Sequence, residues 1–103
     1  NKSGEFVKAE LKSVTAAAAA MKEMPADFRV SITDGAGPGV YPISTFTWLL
    51  VPAKYNDSAK AQAVKGFLKW AITKGQEQVE SLEYAKLPKA VVAQEEKQIA
   101  RIQ

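Results

Sequence analysis

The chain has no cysteine and no histidine. The first absence excludes disulfides, thiolate nucleophiles and cysteine-based metal sites. The second removes the commonest general base and the commonest metal ligand. Arginine is scarce, at Arg29 and Arg101 only. No apolar run approaches the roughly 18 residues a membrane span requires. The first residues, Asn1-Lys2-Ser3-Gly4, do not read as a signal peptide. Charge of one sign is also lacking. The 14 basic residues are interleaved with 11 acidic ones for a net +3, and no basic cluster carries interleaved aromatics. A nucleic-acid surface is therefore not expected. No metal and no cofactor are expected, and no carboxylate pair sits near a glycine turn. An acid/base set for an enzyme is missing.

What is present is ordinary for a globular protein: 47% hydrophobic and 24% charged residues in a length of 103. That length allows one domain at most, burying roughly 65% of its unfolded surface if compact. Tyr41 to Pro52 is the strongest strand signal. β-Branched and aromatic residues fill it and a proline stands near each end. Alternation puts Phe46, Trp48 and Leu50 on one face and Thr45, Thr47 and Leu49 on the other. Trp48 to Val51 is apolar on both faces, which suits a strand covered by helices on both sides.

Upstream, Ala9 to Met21 reads as a helix with an alanine run from Ala16 to Ala20. Pro25 ends it. Phe28, Val30 and Ile32 alternate with polar residues as a short strand. Thr33-Asp34-Gly35-Ala36-Gly37-Pro38-Gly39 follows as a loop. Glycine-rich loops can cradle anions with backbone N–H groups. The phosphate-loop pattern, however, needs Gly-Lys-Ser/Thr opening a helix, and this loop opens a strand. Downstream, Asp57 is an expected N-cap for a helix with a stripe through Ala61, Val64, Phe67, Leu68, Ala71 and Ile72. Gly75 is its expected stop. Gln76 to Leu82 is a further short helix. Pro88 suits the first turn of a last one, with Val91, Val92, Ile99 and Ile102 apolar and Glu95 and Glu96 on a solvated face.

Four stretches carry a resemblance: Asp27-Phe28-Arg29-Val30-Ser31-Ile32-Thr33, Tyr41 to Pro52, Phe67-Leu68-Lys69-Trp70-Ala71, and Tyr84-Ala85-Lys86-Leu87-Pro88. Together they resemble the C-terminal part of the periplasmic phosphate-binding proteins, the substrate-binding components of bacterial phosphate ABC importers. The resemblance implies an α/β fold class. The chain would be a C-terminal fragment of a two-lobed periplasmic-binding-protein fold, with two or three strands and about four helices. Residues 1–40 would be the tail of the second lobe. Residues 41–103 would be the hinge-crossing strand and closing helices of the first.

It also implies a periplasmic or cell-surface location and a role in phosphate transport. The implied partners are inorganic phosphate through the parent protein, an ABC permease in the membrane, and either the remainder of the parent chain or another copy. The family binds phosphate through hydroxyls, backbone N–H groups, an arginine and an aspartate on serine- and threonine-bearing glycine turns. Those motifs are not found here, and Arg29 is not followed by the family's Ser-Gly-Thr turn. No ligand is therefore carried over; Arg29, Ser44, Thr45 and Thr47 are the weak candidates. The competing reading is a free-standing, non-enzymatic interaction domain that uses an exposed apolar face.

Overall fold

The computed structural model describes residues 1–103. In order it contains helix α1 (Leu11–Ala19), helix α2 (Ser58–Ile72), the short helix α3 (Gln76–Val79), a 3-10 turn (Glu80–Leu82) and helix α4 (Lys89–Ala100). No β-strand forms. The α/β expectation, with its two or three strands, is thereby corrected: all the regular structure is helical.

The reason lies in the backbone. Residues 28–34 and 42–48 lie beside each other, joined by the glycine loop. Trp48 Nε1 donates to Phe28 O at 2.9 Å, and Thr33 Oγ1 to Ser44 O at 3.3 Å. Yet only one backbone bond joins them, from Asp34 N–H to Pro42 O at 2.7 Å. Pro42 has no N–H with which to return it. Phe28 and Asp34 both have positive φ, 60° and 54°, so the segment leaves extended geometry at each end. A ladder needs repeated reciprocal bonds, and here they stop after one.

The helices close for local reasons. At α1, Ser13 Oγ accepts from Glu10 N–H at 3.0 Å and donates to Lys8 O at 2.7 Å. This starts the helix at Leu11 rather than Ala9. Asp57 caps α2, its Oδ1 accepting from Ala59 N–H at 2.9 Å and Lys60 N–H at 3.2 Å. That helix ends at Ile72 rather than Gly75, and Gly75 N–H donates back to Trp70 O at 2.8 Å. A Cβ at Gly75 would sit 3.1 Å from Ala71 Cα and from the carbonyl oxygens of Trp70 and Ala71. Glycine is needed there for close approach. Glu83, at φ 64°, turns the chain out of the 3-10 turn. Pro88 occupies the N-cap of α4, one residue before the first turn.

Two small packed regions result. Ala17 and Ala18 of α1 meet Ile32 and Val40, with Ala16, Met21 and Phe46 at the margin. The alanines let the loop come close enough for Tyr41 N–H to reach Ser13 O at 3.1 Å. The second region pairs α2 with α4. Beyond α4, Gln103 is held to the chain after the extended stretch by bonds to Ala53 and Tyr55. Thr15 Oγ1 to Lys86 O (2.9 Å) and Gln94 Nε2 to Met24 O (2.9 Å) link the two regions.

Neither region is large. Eleven of the 103 residues are buried, and the solvent-accessible surface is 7473 Å². A compact monomer of 11.2 kDa would expose about 5,700 Å², so about 1,800 Å² is surplus. The chain buries roughly 54% of its unfolded surface instead of the expected 65%. It is elongated, at 50 × 28 × 18 Å, with a radius of gyration of 15.1 Å against about 13 Å for a compact chain of this length. Trp48, Leu49 and Leu50, expected under helices on both sides, are 46%, 62% and 96% exposed.

The α2 cap can be tested directly. Asp57→Ala is expected to cost about 1 kcal/mol of stability, while Asp57→Asn retains most of it. Thermal melts followed by helical circular dichroism read both.

Candidate functional site

The four candidate ligand residues do not converge. The Arg29 side chain is exposed, and its Nε donates to Asp27 Oδ2 at 2.8 Å. The Arg29 N–H donates to Asp27 Oδ1 at 3.1 Å, so one aspartate takes both donors. The Arg29 side-chain hydrogen bond, more than any other cause, holds the Asp27 carboxyl below its usual range. Ser44 is buried and its Oγ donates to Tyr41 O at 2.8 Å. Thr45 Oγ1 donates to Phe46 O at 3.2 Å. Thr45 and Thr47 line a cavity of about 890 Å³, whereas Arg29 and Ser44 do not.

The glycine loop is occupied too, by the chain's own first residues. Gly37 N–H donates to Ser3 Oγ at 2.9 Å and Gly39 N–H to Glu5 Oε2 at 2.7 Å. Asn1 Nδ2 donates to the carbonyls of Gly37 (3.1 Å) and Val40 (3.0 Å). A carboxylate already takes the Gly39 amide. Sequence spacing gave no warning of this, since the partners lie 34 or more residues apart.

The cavity measures about 890 Å³ and is mostly apolar. Leu11, Val14 and Ala18 of α1 form one wall; Phe28, Ile32, Phe46 and Trp48 of the extended segments form another. Leu87 and, from α4, Val91 and Glu95 complete it. Glu95 is half-buried, not on a solvated face as expected, and its Oε2 is buried without a hydrogen-bond partner. A signal for this was present: Val91, Glu95 and Ile99 recur every four residues, which places them on one stripe. Burial pushes the Glu95 carboxyl above the usual glutamate range. Of the other charged residues lining it, Glu10 pairs with Lys12 at 3.0 Å and Lys86 with Glu80 at 3.7 Å, whereas Glu83 makes no ion pair. The cavity thus offers apolar walls and one buried, unpaired acceptor.

No family model matches the chain. Among curated proteins the chain is similar to phosphate-binding proteins. That of Xylella fastidiosa (strain Temecula1) is 35% identical over 95 residues, covering 91% of this chain and 26% of its own length. That of Methanocaldococcus jannaschii is 37% identical over 87 residues (74% of this chain, 22% of its own). That of Haemophilus influenzae is 32% identical over 95 residues (90% and 28%). All three are named phosphate-binding protein PstS. The chain belongs to the PstS family as a segment of it, and spans about a quarter of the length of the relatives it matches.

Two outcomes are expected of the site. Arg29→Ala returns the Asp27 carboxyl toward its ordinary range in an NMR titration. For Glu95, the folded chain holds the proton to higher pH than the unfolded one. Its contribution is therefore present below the unfolded pKa and is lost as pH rises through the folded value. Glu95→Gln should raise the thermal midpoint by a few degrees at neutral pH and change it little near about pH 4.

Proposed function

We propose that this chain is the part of a phosphate receptor that supplies hinge and lobe core rather than the contacts to phosphate. The observation that carries this is the pairing of family-wide similarity with dispersed candidate ligands. Nine-tenths of the chain aligns with phosphate-binding proteins, while its one candidate arginine is committed to Asp27. A site for a doubly charged oxyanion needs several donors aimed at one point. Here the Ser44 and Thr45 hydroxyls, the loop amides and the guanidinium each face a different partner.

In this reading residues 1–40 are the tail of one lobe. Residues 41–103 are the crossing segment and closing helices of the other. The whole receptor takes inorganic phosphate outside the cytoplasmic membrane and delivers it to an ABC permease. Its role is binding, in keeping with the relatives' names. No helix is long and apolar enough to cross a membrane. The competing reading, an interaction domain, draws support from the exposed Trp48-Leu49-Leu50 run.

Isothermal titration of inorganic phosphate into the 103-residue chain should give no binding heat. In a family-length chain carrying this segment, the combined Arg29→Ala, Ser44→Ala and Thr47→Ala changes should leave phosphate affinity within about twofold. Tight binding by the segment alone, or loss of affinity in the triple variant, overturns the reading.

A further inference from the structure

The Thr33 to Gly39 loop is rich in glycine and stands directly before the crossing segment, which makes it the obvious hinge. The structure instead holds it fast on two sides. On the inner side, Val40 is 2% exposed and packs with Ala17, Ala18 and Ile32. A Cβ at Gly35 or Gly37 would stand 3.1 or 3.3 Å from a Val40 methyl group. Asp34 N–H bonds Pro42 O, and Tyr41 N–H bonds Ser13 O of α1.

On the outer side lies the turn of residues 1–5, with Asn1 at its centre. Asn1 Oδ1 accepts from Ser3 N–H at 3.0 Å and from Glu5 N–H at 3.1 Å, which holds the turn. Asn1 Nδ2 donates to Gly37 O at 3.1 Å and to Val40 O at 3.0 Å, which reaches the loop. Both acceptor positions and both N–H groups of this amide are therefore used. The turn so held presents Ser3 Oγ to Gly37 N–H at 2.9 Å, Glu5 Oε2 to Gly39 N–H at 2.7 Å, and its own Lys2 N–H to Gly35 O at 3.2 Å.

We propose that Asn1 is a positioning residue: it clamps the glycine loop to the body of α1, so that the loop travels as a rigid bracket when the receptor opens and closes. The proposal rests on the reading of residues 41–103 as crossing segment and closing helices. A hinge absorbs large changes of φ and ψ over a few residues. Between Gly35 and Val40 such changes break the bonds to residues 1–5 or withdraw Val40 from its pocket, so the flexing falls outside this loop. Without the clamp, the loop gains a freedom that the phosphate-bound state must give up. Binding then weakens although no ligand has been touched.

Amide hydrogen exchange in a family-length chain carrying this segment tests it. Gly37 and Gly39 N–H should exchange slowly, at rates that saturating inorganic phosphate changes by less than about twofold. Asn1→Ala should speed both at least about tenfold and weaken phosphate binding, measured by titration, about threefold or more. Asn1→Asp keeps the acceptor that holds the turn and loses the two donors to the loop, so it should act in the same direction. A tenfold change in either amide on adding phosphate overturns the proposal, because the loop then flexes during closure. Unchanged exchange in both variants overturns it, as does a loosened loop with unaltered phosphate affinity. None of these outcomes bears on where the phosphate contacts lie, which the titration of the 103-residue chain reads separately.

Discussion

An extended backbone cannot satisfy its own hydrogen bonds, and an α-helix can. That asymmetry decides which parts of this chain are finished. The helices draw on neighbours a few residues away: Ser13 for Glu10, Asp57 for Ala59 and Lys60, the Trp70 carbonyl for Gly75. The Tyr41 to Pro52 stretch has no such recourse. Its only backbone bond across to the 28–34 segment is accepted by Pro42, the one residue in the pair unable to reciprocate. The fold is therefore helical by completion and extended by default.

The same division explains what could be read from the sequence. Helix positions were legible because capping and periodicity are local; their ends moved by one to three residues, as at Ala9, Gly75 and Pro88. That Tyr41 to Pro52 stays outside the helices was legible from its β-branched and aromatic content. Its status as a strand was not, because a strand is a relation between two backbones and propensity describes one. Glu95 was misread because its neighbours Gln94, Glu96 and Lys97 are polar, although its spacing from Val91 and Ile99 places it inward. The bonds of Asn1 and Glu5 to the glycine loop were not legible at all; nothing local distinguishes a carboxylate that reaches an amide 34 residues away.

For function the lesson differs. The residues that carry the resemblance, such as Phe46, Trp48 and the Tyr84 to Pro88 turn, pack, anchor and turn the chain. Most of the polar groups with suitable chemistry are spent within the chain. Arg29 is neutralised by Asp27, Ser44 caps a turn at Tyr41, and Glu5 takes the Gly39 amide. A receptor can separate the two tasks because holding an anion needs a few converging donors, whereas placing two lobes around it needs core and hinge. A segment rich in the second and poor in the first is physically coherent.

The surplus surface, the open edge and the unpartnered Glu95 have a common cause. Protein interiors are packed almost without voids larger than a water molecule. The half-open apolar cavity of about 890 Å³ is too large to be such a void, and Phe46 and Trp48 wall it from the same stretch that forms the edge. Whatever completes this interior must meet two demands at once. It must present an extended backbone to Ile43–Val51, and it must bring a hydrogen-bond donor to an apolar cavity where one carboxylate oxygen is unpaired. Apolar side chains alone would satisfy neither.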